Sequence, residues 1–150
     1  MTDIKSPAKR SRNMASIRSK DTKPEIWLRK RLFARGYRYR CNAGSITGHP
    51  DLWLRKYNAA IFVHGCFWHR HKGCRYAYMP KSRIEFWSDK FEQNIKRDKR
   101  VRQQLEGEGI RILIVWECTI KKMNKSLEEE RNIIDQIEDF LQSIDKYLEL

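Results

Sequence analysis

The segment Ala59-Ala60-Ile61-Phe62-Val63, followed at once by His64-Gly65-Cys66-Phe67-Trp68-His69-Arg70-His71-Lys72-Gly73-Cys74, decides how the chain is read. Its first five residues form an unbroken apolar run, the pattern of a strand buried on both faces. The eleven that follow hold three His, two Cys and two large aromatics, a mixture that a core would not select. A buried strand that delivers imidazoles and thiols into a loop marks the place to look for chemistry.

Reading outward, Asp51 to Leu54 is a short apolar stretch after Pro50, and Tyr37 to Cys41 alternates aromatic and basic residues; both read as strands. Thr22-Lys23-Pro24-Glu25 provides a cap, a first-turn proline and a glutamate placed for a capping box, and Gly36 provides a stop, so a helix is expected over 23–35. On the other side, Trp87, Phe91, Ile95, Val101 and Leu105 recur near helical spacing up to Gly107 and Gly109, and Ile110 to Trp116 is strongly β-forming. Ile134, Ile137, Leu141, Ile144 and Leu148 trace the apolar stripe of a surface helix. The order α, β, β, β, α, β, α implies an α/β sandwich, a small mixed central sheet flanked by helices. No internal repeat is visible.

A chain of 150 residues with 40% hydrophobic content suits one compact domain. Thirty-two Lys and Arg against nineteen Asp and Glu leave a net charge of +13, which favours a polyanionic partner, nucleic acid foremost. The charge is uneven: residues 1–40 carry thirteen bases against Asp3, Asp21 and Glu25, whereas 126–150 carry eight acids against two bases. Residues 1–22, rich in Lys, Arg and Ser, read as a basic arm that becomes ordered on its partner, and 23–150 as a single domain. A solvated tail that only confers solubility is the competing reading of such a run. No apolar stretch approaches the roughly 20 residues that span a bilayer, so no membrane association and a cytoplasmic setting are expected. In that reducing compartment Cys41, Cys66, Cys74 and Cys118 are expected as thiols or metal ligands.

Cys66, His71 and Cys74 have spacings compatible with tetrahedral zinc, and Cys118, just past the Ile110–Trp116 strand, can supply a fourth ligand for a closed structural site. The alternative is a buried strand-end thiol at Cys118 with Cys66 and Cys74 incidental. Cys41 has no assigned role. Asp51, at the start of its strand and beside the Ala59–His64 strand if the two form a hairpin, suits a hard cation, since magnesium takes few carboxylates and keeps substrate oxygens and water; a plain turn residue is the alternative. His64 and His69 flank the same corner and can exchange protons near neutral pH. Phe67 and Trp68 stand in the loop, and Trp87 near the start of the long helix, as aromatics that can stack on or wedge between bases; Trp87 also fits the core stripe.

Taken together, Gly48-His49-Pro50-Asp51, the run Phe62 to His69, Glu85-Phe86-Trp87, Asn94 with Arg97-Asp98, and Val115-Trp116-Glu117-Cys118 resemble the very-short-patch-repair DNA mismatch endonucleases, in order from about Arg10 to Cys118. The resemblance implies a restriction-endonuclease-like fold, a structural zinc at Cys66, His71, Cys74 and Cys118, and magnesium at Asp51 with the main-chain carbonyl of Val63. It further implies His69 as general base or its close equivalent with His64 assisting, and Glu25 orienting the site. Phe67, Trp68 and Trp87 would form the wedge, with Asn94 among the DNA-binding residues and Arg10, Arg12, Arg18 and Lys20 in the clamping arm. The expected reaction is a nick in one strand, 5′ to the thymine of a T:G mismatch left by deamination of 5-methylcytosine. A monomer is expected, functionally linked to a cytosine-5 methyltransferase, with MutL-type mismatch-repair proteins as possible partners and the nucleoid as its site when on DNA. One departure from the family pattern stands out: Lys72-Gly73 adds a residue before Cys74 and lengthens the zinc loop.

Overall fold

The computed structural model describes residues 21–150; Arg10, Arg12, Arg18 and Lys20 lie outside them. Helix α1, Lys23–Ala34, starts where expected: the Thr22 side chain accepts from the Glu25 N–H at 3.5 Å, and Pro24 occupies the first turn. Gly36, at φ +95°, ends it. Strands β1 (Arg40–Cys41), β2 (Leu52–Leu54) and β3 (Ala59–His64) follow, with a short 3-10 turn at Arg55–Tyr57 between the last two. The long helix α2 (Ile84–Gly107) leads to β4 (Arg111–Trp116), then α3 (Glu117–Lys125), α4 (Leu127–Gln142) and β5 (Tyr147–Glu149).

The five strands lie in sequence order; β1, β2 and β3 pair antiparallel, and β3–β4 and β4–β5 pair parallel. The mixed sheet flanked by helices is therefore as expected from the element order. Alternation along the central strands sends Ala59, Ile61, Leu113 and Val115 into a core with Leu28, Leu32, Met123, Ile137 and Leu141 of α1, α3 and α4. Ala60, Phe62, Ile112, Ile114 and Trp116 face the other side, with Leu105 of α2. Full burial of one such Leu or Ile contributes about 1.5–3 kcal/mol, so the central strands are fixed by packing on both faces.

Three parts differ from the sequence-based expectation: of Tyr37 to Cys41 only Arg40 and Cys41 form a strand, and two further departures lie toward the C-terminal end. The C-terminal stripe holds through Ile134, Ile137 and Leu141, but the helix ends at Gln142; Ile144 is 94% exposed, and Leu148 belongs to β5. Ser126 is the third departure, separating α3 from α4: it closes α3 and its hydroxyl accepts from the Glu129 N–H at 3.3 Å to begin α4. No helix among the described residues is long and apolar enough to cross a membrane.

Candidate active site and metal centre

The hairpin of β2 and β3 sets the first half of the site. Asp51 immediately precedes β2, and its Oδ2 accepts from the Val63 N–H at 2.6 Å, which holds the carboxylate against the backbone of β3. Glu25, only 3% exposed, approaches from α1. Its Oε2 accepts from the Asp21 N–H at 2.8 Å and from Arg29 Nη2 at 3.2 Å, so the cap and the site share one side chain. Burial pushes the Asp51 carboxyl up to about 7; the Val63 N–H opposes that shift and the Glu25 charge reinforces it. Two carboxylates confined this way form a corner that a hard cation would relieve.

The second half lies where β3 ends. His64, its last residue, stacks on His69 with ring centres 3.8 Å apart and planes 4° from parallel. His69 Nδ1 sits 2.6 Å from Asp98 Oδ2 on α2. With the proton on Nδ1, Nε2 keeps its lone pair and can accept a proton. Burial, with the neighbouring His69, lowers His64 to about 3, so at neutral pH it acts as a neutral imidazole. Glu25, Asp51, His64, His69 and Asp98 all line one groove of about 880 Å³, whose α2 wall includes Arg97, Lys99 and Arg102. Gly48, at φ +79°, lets α2 approach: a Cβ there would lie 2.5 Å from Val101 Cγ1.

Behind this groove, Cys66, His71, Cys74 and Cys118 bring their ligand atoms within 4.8 Å of one another, a group that can hold a metal ion. His71 Nδ1 lies 3.6 Å from Cys66 Sγ and 3.4 Å from Cys118 Sγ. A tetrahedral ion about 2.3 Å from sulfur and about 2.0 Å from nitrogen sets such edges at about 3.6 Å. The Cys118 N–H donates to Cys66 Sγ at 3.4 Å, and burial with the nearby thiols pushes Cys66 up to about 12. Gly73, between His71 and Cys74, turns the loop at φ +74°. Cys41 is exposed on β1, outside the group.

Between the two centres the loop presents aromatics. Phe67 packs edge-on to Trp68, Trp87 and Phe91 at 5.1 to 5.4 Å. Arg70 pins this cluster: it donates to the carbonyls of Phe67, Ala77 and Tyr78 at 2.8 to 3.3 Å and lies 3.8 Å over the Phe91 ring. Asn94 is 5% exposed and donates to the Trp68 carbonyl at 2.9 Å, so it supports the loop from beneath. Sequence reasoning gave Asp98 and Arg70 no role of their own. A helix face carries no mark of which loop imidazole it will meet, so Asp98 had no signal apart from its place in the Asn94-Arg97-Asp98 motif; Arg70 had none.

Fold and site together define an α/β protein with acid–base groups on an open, partly basic groove and a separate Cys/His group able to hold a metal. Residues 2–75 match the family profile described as DNA mismatch endonuclease Vsr. The chain is 43% identical over 141 residues to the type II nicking enzyme V.NmeAIP of Neisseria meningitidis serogroup A, covering 93% of this chain and 99% of that one. It is 42% identical over 135 residues to the type II nicking enzyme V.XorIIP of Xanthomonas oryzae pv. oryzae, covering 90% and 98%. It is 40% identical over 129 residues to the DNA mismatch endonuclease Vsr of Escherichia coli, covering 86% and 82%. The chain belongs to the DNA mismatch endonuclease Vsr family and is a DNA endonuclease.

Proposed function

We propose that the protein is a magnesium-dependent mismatch endonuclease that nicks one strand of duplex DNA 5′ to the thymine of a T:G mismatch. The observation that carries this reading is the opening of the Glu25–Asp51 corner and the His64–His69–Asp98 group onto one groove. Asp51 and the Val63 carbonyl would hold magnesium, which would supply charge neutralisation at the scissile phosphate and the leaving oxygen. Around it, His69 Nε2 takes the proton of the attacking water while Asp98 holds the ring, and neutral His64 orients the phosphate by hydrogen bonding. Glu25, itself held by the Asp21 N–H and Arg29, helps orient the site, and Arg97 and Lys99 neutralise neighbouring phosphates.

Mismatch selectivity has a physical source in Phe67, Trp68 and Trp87. Inserting a wedge costs a few kcal/mol of unstacking, and that cost is least where pairing is already poor. Cys66, His71, Cys74 and Cys118 would hold zinc, which would stiffen the loop that carries Phe67 and Trp68, within a fold of the restriction-endonuclease type. Residues 1–22, with Arg10, Arg12, Arg18 and Lys20, clamp the duplex as an arm of the 23–150 domain. A cytoplasmic monomer fits single-strand nicking, working on deaminated products of a cytosine-5 methyltransferase and open to a MutL-type partner. Gel analysis of end-labelled T:G duplexes, with and without magnesium and with Asp51→Ala, tests the reading; cleavage that persists without magnesium or in the variant contradicts it.

A further inference from the structure

Glu149, on the edge strand β5, has both carboxylate oxygens engaged. Trp116 Nε1–H donates to Oε1 at 2.6 Å, and the Tyr147 hydroxyl donates to Oε2 at 2.7 Å. Its strand is held by backbone bonds of 2.9 Å from Leu150 N to Ile114 O and 2.8 Å from Trp116 N to Leu150 O. Arg102 of α2 covers the Tyr147 ring at 3.6 Å, so the far wall of the groove closes on the same group. Glu149 also lines the groove that must receive the phosphates, where a negative charge opposes binding. Some internal duty must keep it there.

That duty lies in the ring Glu149 holds. One face of Trp116 stacks on His71 of the metal cluster at 4.1 Å and 6°. Its edge meets His64 at 5.3 Å and 73°, and His64 in turn stacks on His69. A short hydrogen bond to an ionised acceptor is among the stronger ones a side chain makes, and it fixes the rotation of the indole in its plane. The four rings form a continuous file from the Cys/His cluster to the proton-accepting nitrogen; Asp98 holds its His69 end, and Glu149 holds the indole in its middle.

We propose that Glu149 is a positioning residue of the nuclease site: by anchoring Trp116 it sets the placement of His64 and His69 relative to the Cys/His metal cluster. The proposal rests on the reading of His64 and His69 as the site of hydrolysis. Glu149 contributes to the rate and detracts from DNA affinity, a combination that a purely structural carboxylate does not produce.

The test uses full-length, zinc-loaded protein and single-turnover nicking of whichever duplex the wild type cuts, mismatched or paired. Mismatch specificity can then fail without touching this inference. Glu149→Ala is expected to slow nicking about tenfold, in line with the sensitivity of catalysis to sub-ångström misplacement, while DNA binds equally or more tightly. Glu149→Gln, which keeps an acceptor for the indole N–H, restores most of the rate. Trp116→Phe matches Glu149→Ala, and the double variant is no slower than either single one. Zinc content stays at the wild-type value, and the imidazole ¹H–¹⁵N signals of His64 and His69 move in Glu149→Ala and return in Glu149→Gln. A wild-type rate in Glu149→Ala overturns the proposal. So do a joint fall in rate and DNA affinity with loss of zinc, a slow Glu149→Gln, or rate losses that multiply in the double variant.

Discussion

Replacing Asp51 with Asn is expected to abolish nicking and, in magnesium-free buffer above pH 7, to stabilise the fold. The carboxyl is raised from 3.8 to about 7, chiefly by burial, with the Glu25 charge adding to it against the Val63 N–H. A group raised in the folded state gives stability that is fully present below its unfolded value and lost as pH rises through the folded one. For Asp51 the loss runs from about pH 4 to about pH 7. A rise of about 3 at about 1.36 kcal/mol each gives an upper bound near about 4 kcal/mol, and water in the open groove reduces it to about 2 kcal/mol. Asn keeps an oxygen to accept from the Val63 N–H and has no charge to bury.

Urea unfolding at pH 5 and pH 8, without chelator so that a metal held by the Cys/His group is not removed, reads the difference directly. The variant should exceed wild type by about 2 kcal/mol at pH 8, and the gap should shrink or reverse at pH 5. Adding magnesium at pH 8 should narrow the gap by stabilising the wild type alone. A variant less stable than wild type at pH 8, or a gap that does not change with pH, refutes the reasoning.

Asp98→Asn leaves His69 without an anionic partner at Nδ1, 2.6 Å away, and should slow single-turnover nicking about 100-fold with little change in DNA affinity; a rate within threefold of wild type contradicts the pairing. Arg70→Ala removes a guanidinium that donates to three loop carbonyls; it should cost about 2–3 kcal/mol in urea unfolding, and Arg70→Lys should not recover it because an ammonium lacks the planar fork. With a metal held by Cys66, His71, Cys74 and Cys118, a thiol reagent should react with the exposed Cys41 alone, and removing the metal should add Cys66, Cys74 and Cys118. Equal thiol reactivity before and after removal argues against a bound metal.

The parts of the fold that were legible in the sequence are those decided locally. Ala59–Val63 and Ile112–Trp116 are apolar on both faces because helices cover both sides of the sheet, and Thr22, Pro24 and Gly36 mark the ends of α1 by their own backbone chemistry. Strand β5 was not legible. Three residues, Tyr147–Glu149, pair with β4 across more than thirty positions of chain, and Ile144 and Leu148 continue a helical spacing by accident. Helix α3 was hidden because it begins directly on β4, with Trp116 at its N-cap and no side-chain cap bond to announce it. Tyr37–Cys41 alternates over five residues, yet only Arg40 and Cys41 find a partner strand.

The site divides in the same way. Cys66, His71 and Cys74 are close in sequence, and the parallel pairing of β3 with β4, which sets His64 opposite Trp116, carries Cys118 to them. The pairing of His69 with Asp98 depends instead on how α2 crosses the sheet, which spacing alone does not encode.

The central claim, hydrolysis at a mispaired thymine, is tested most directly by mapping the cut. Purified protein with magnesium is incubated with two duplexes identical except for one T:G or T:A pair, each strand end-labelled in turn. One nick is expected, on the 5′ side of the mispaired thymine and only in the T:G duplex, with a 5′-phosphate and a 3′-hydroxyl at the break. Equal cutting of the T:A duplex, or breaks in both strands, contradicts it.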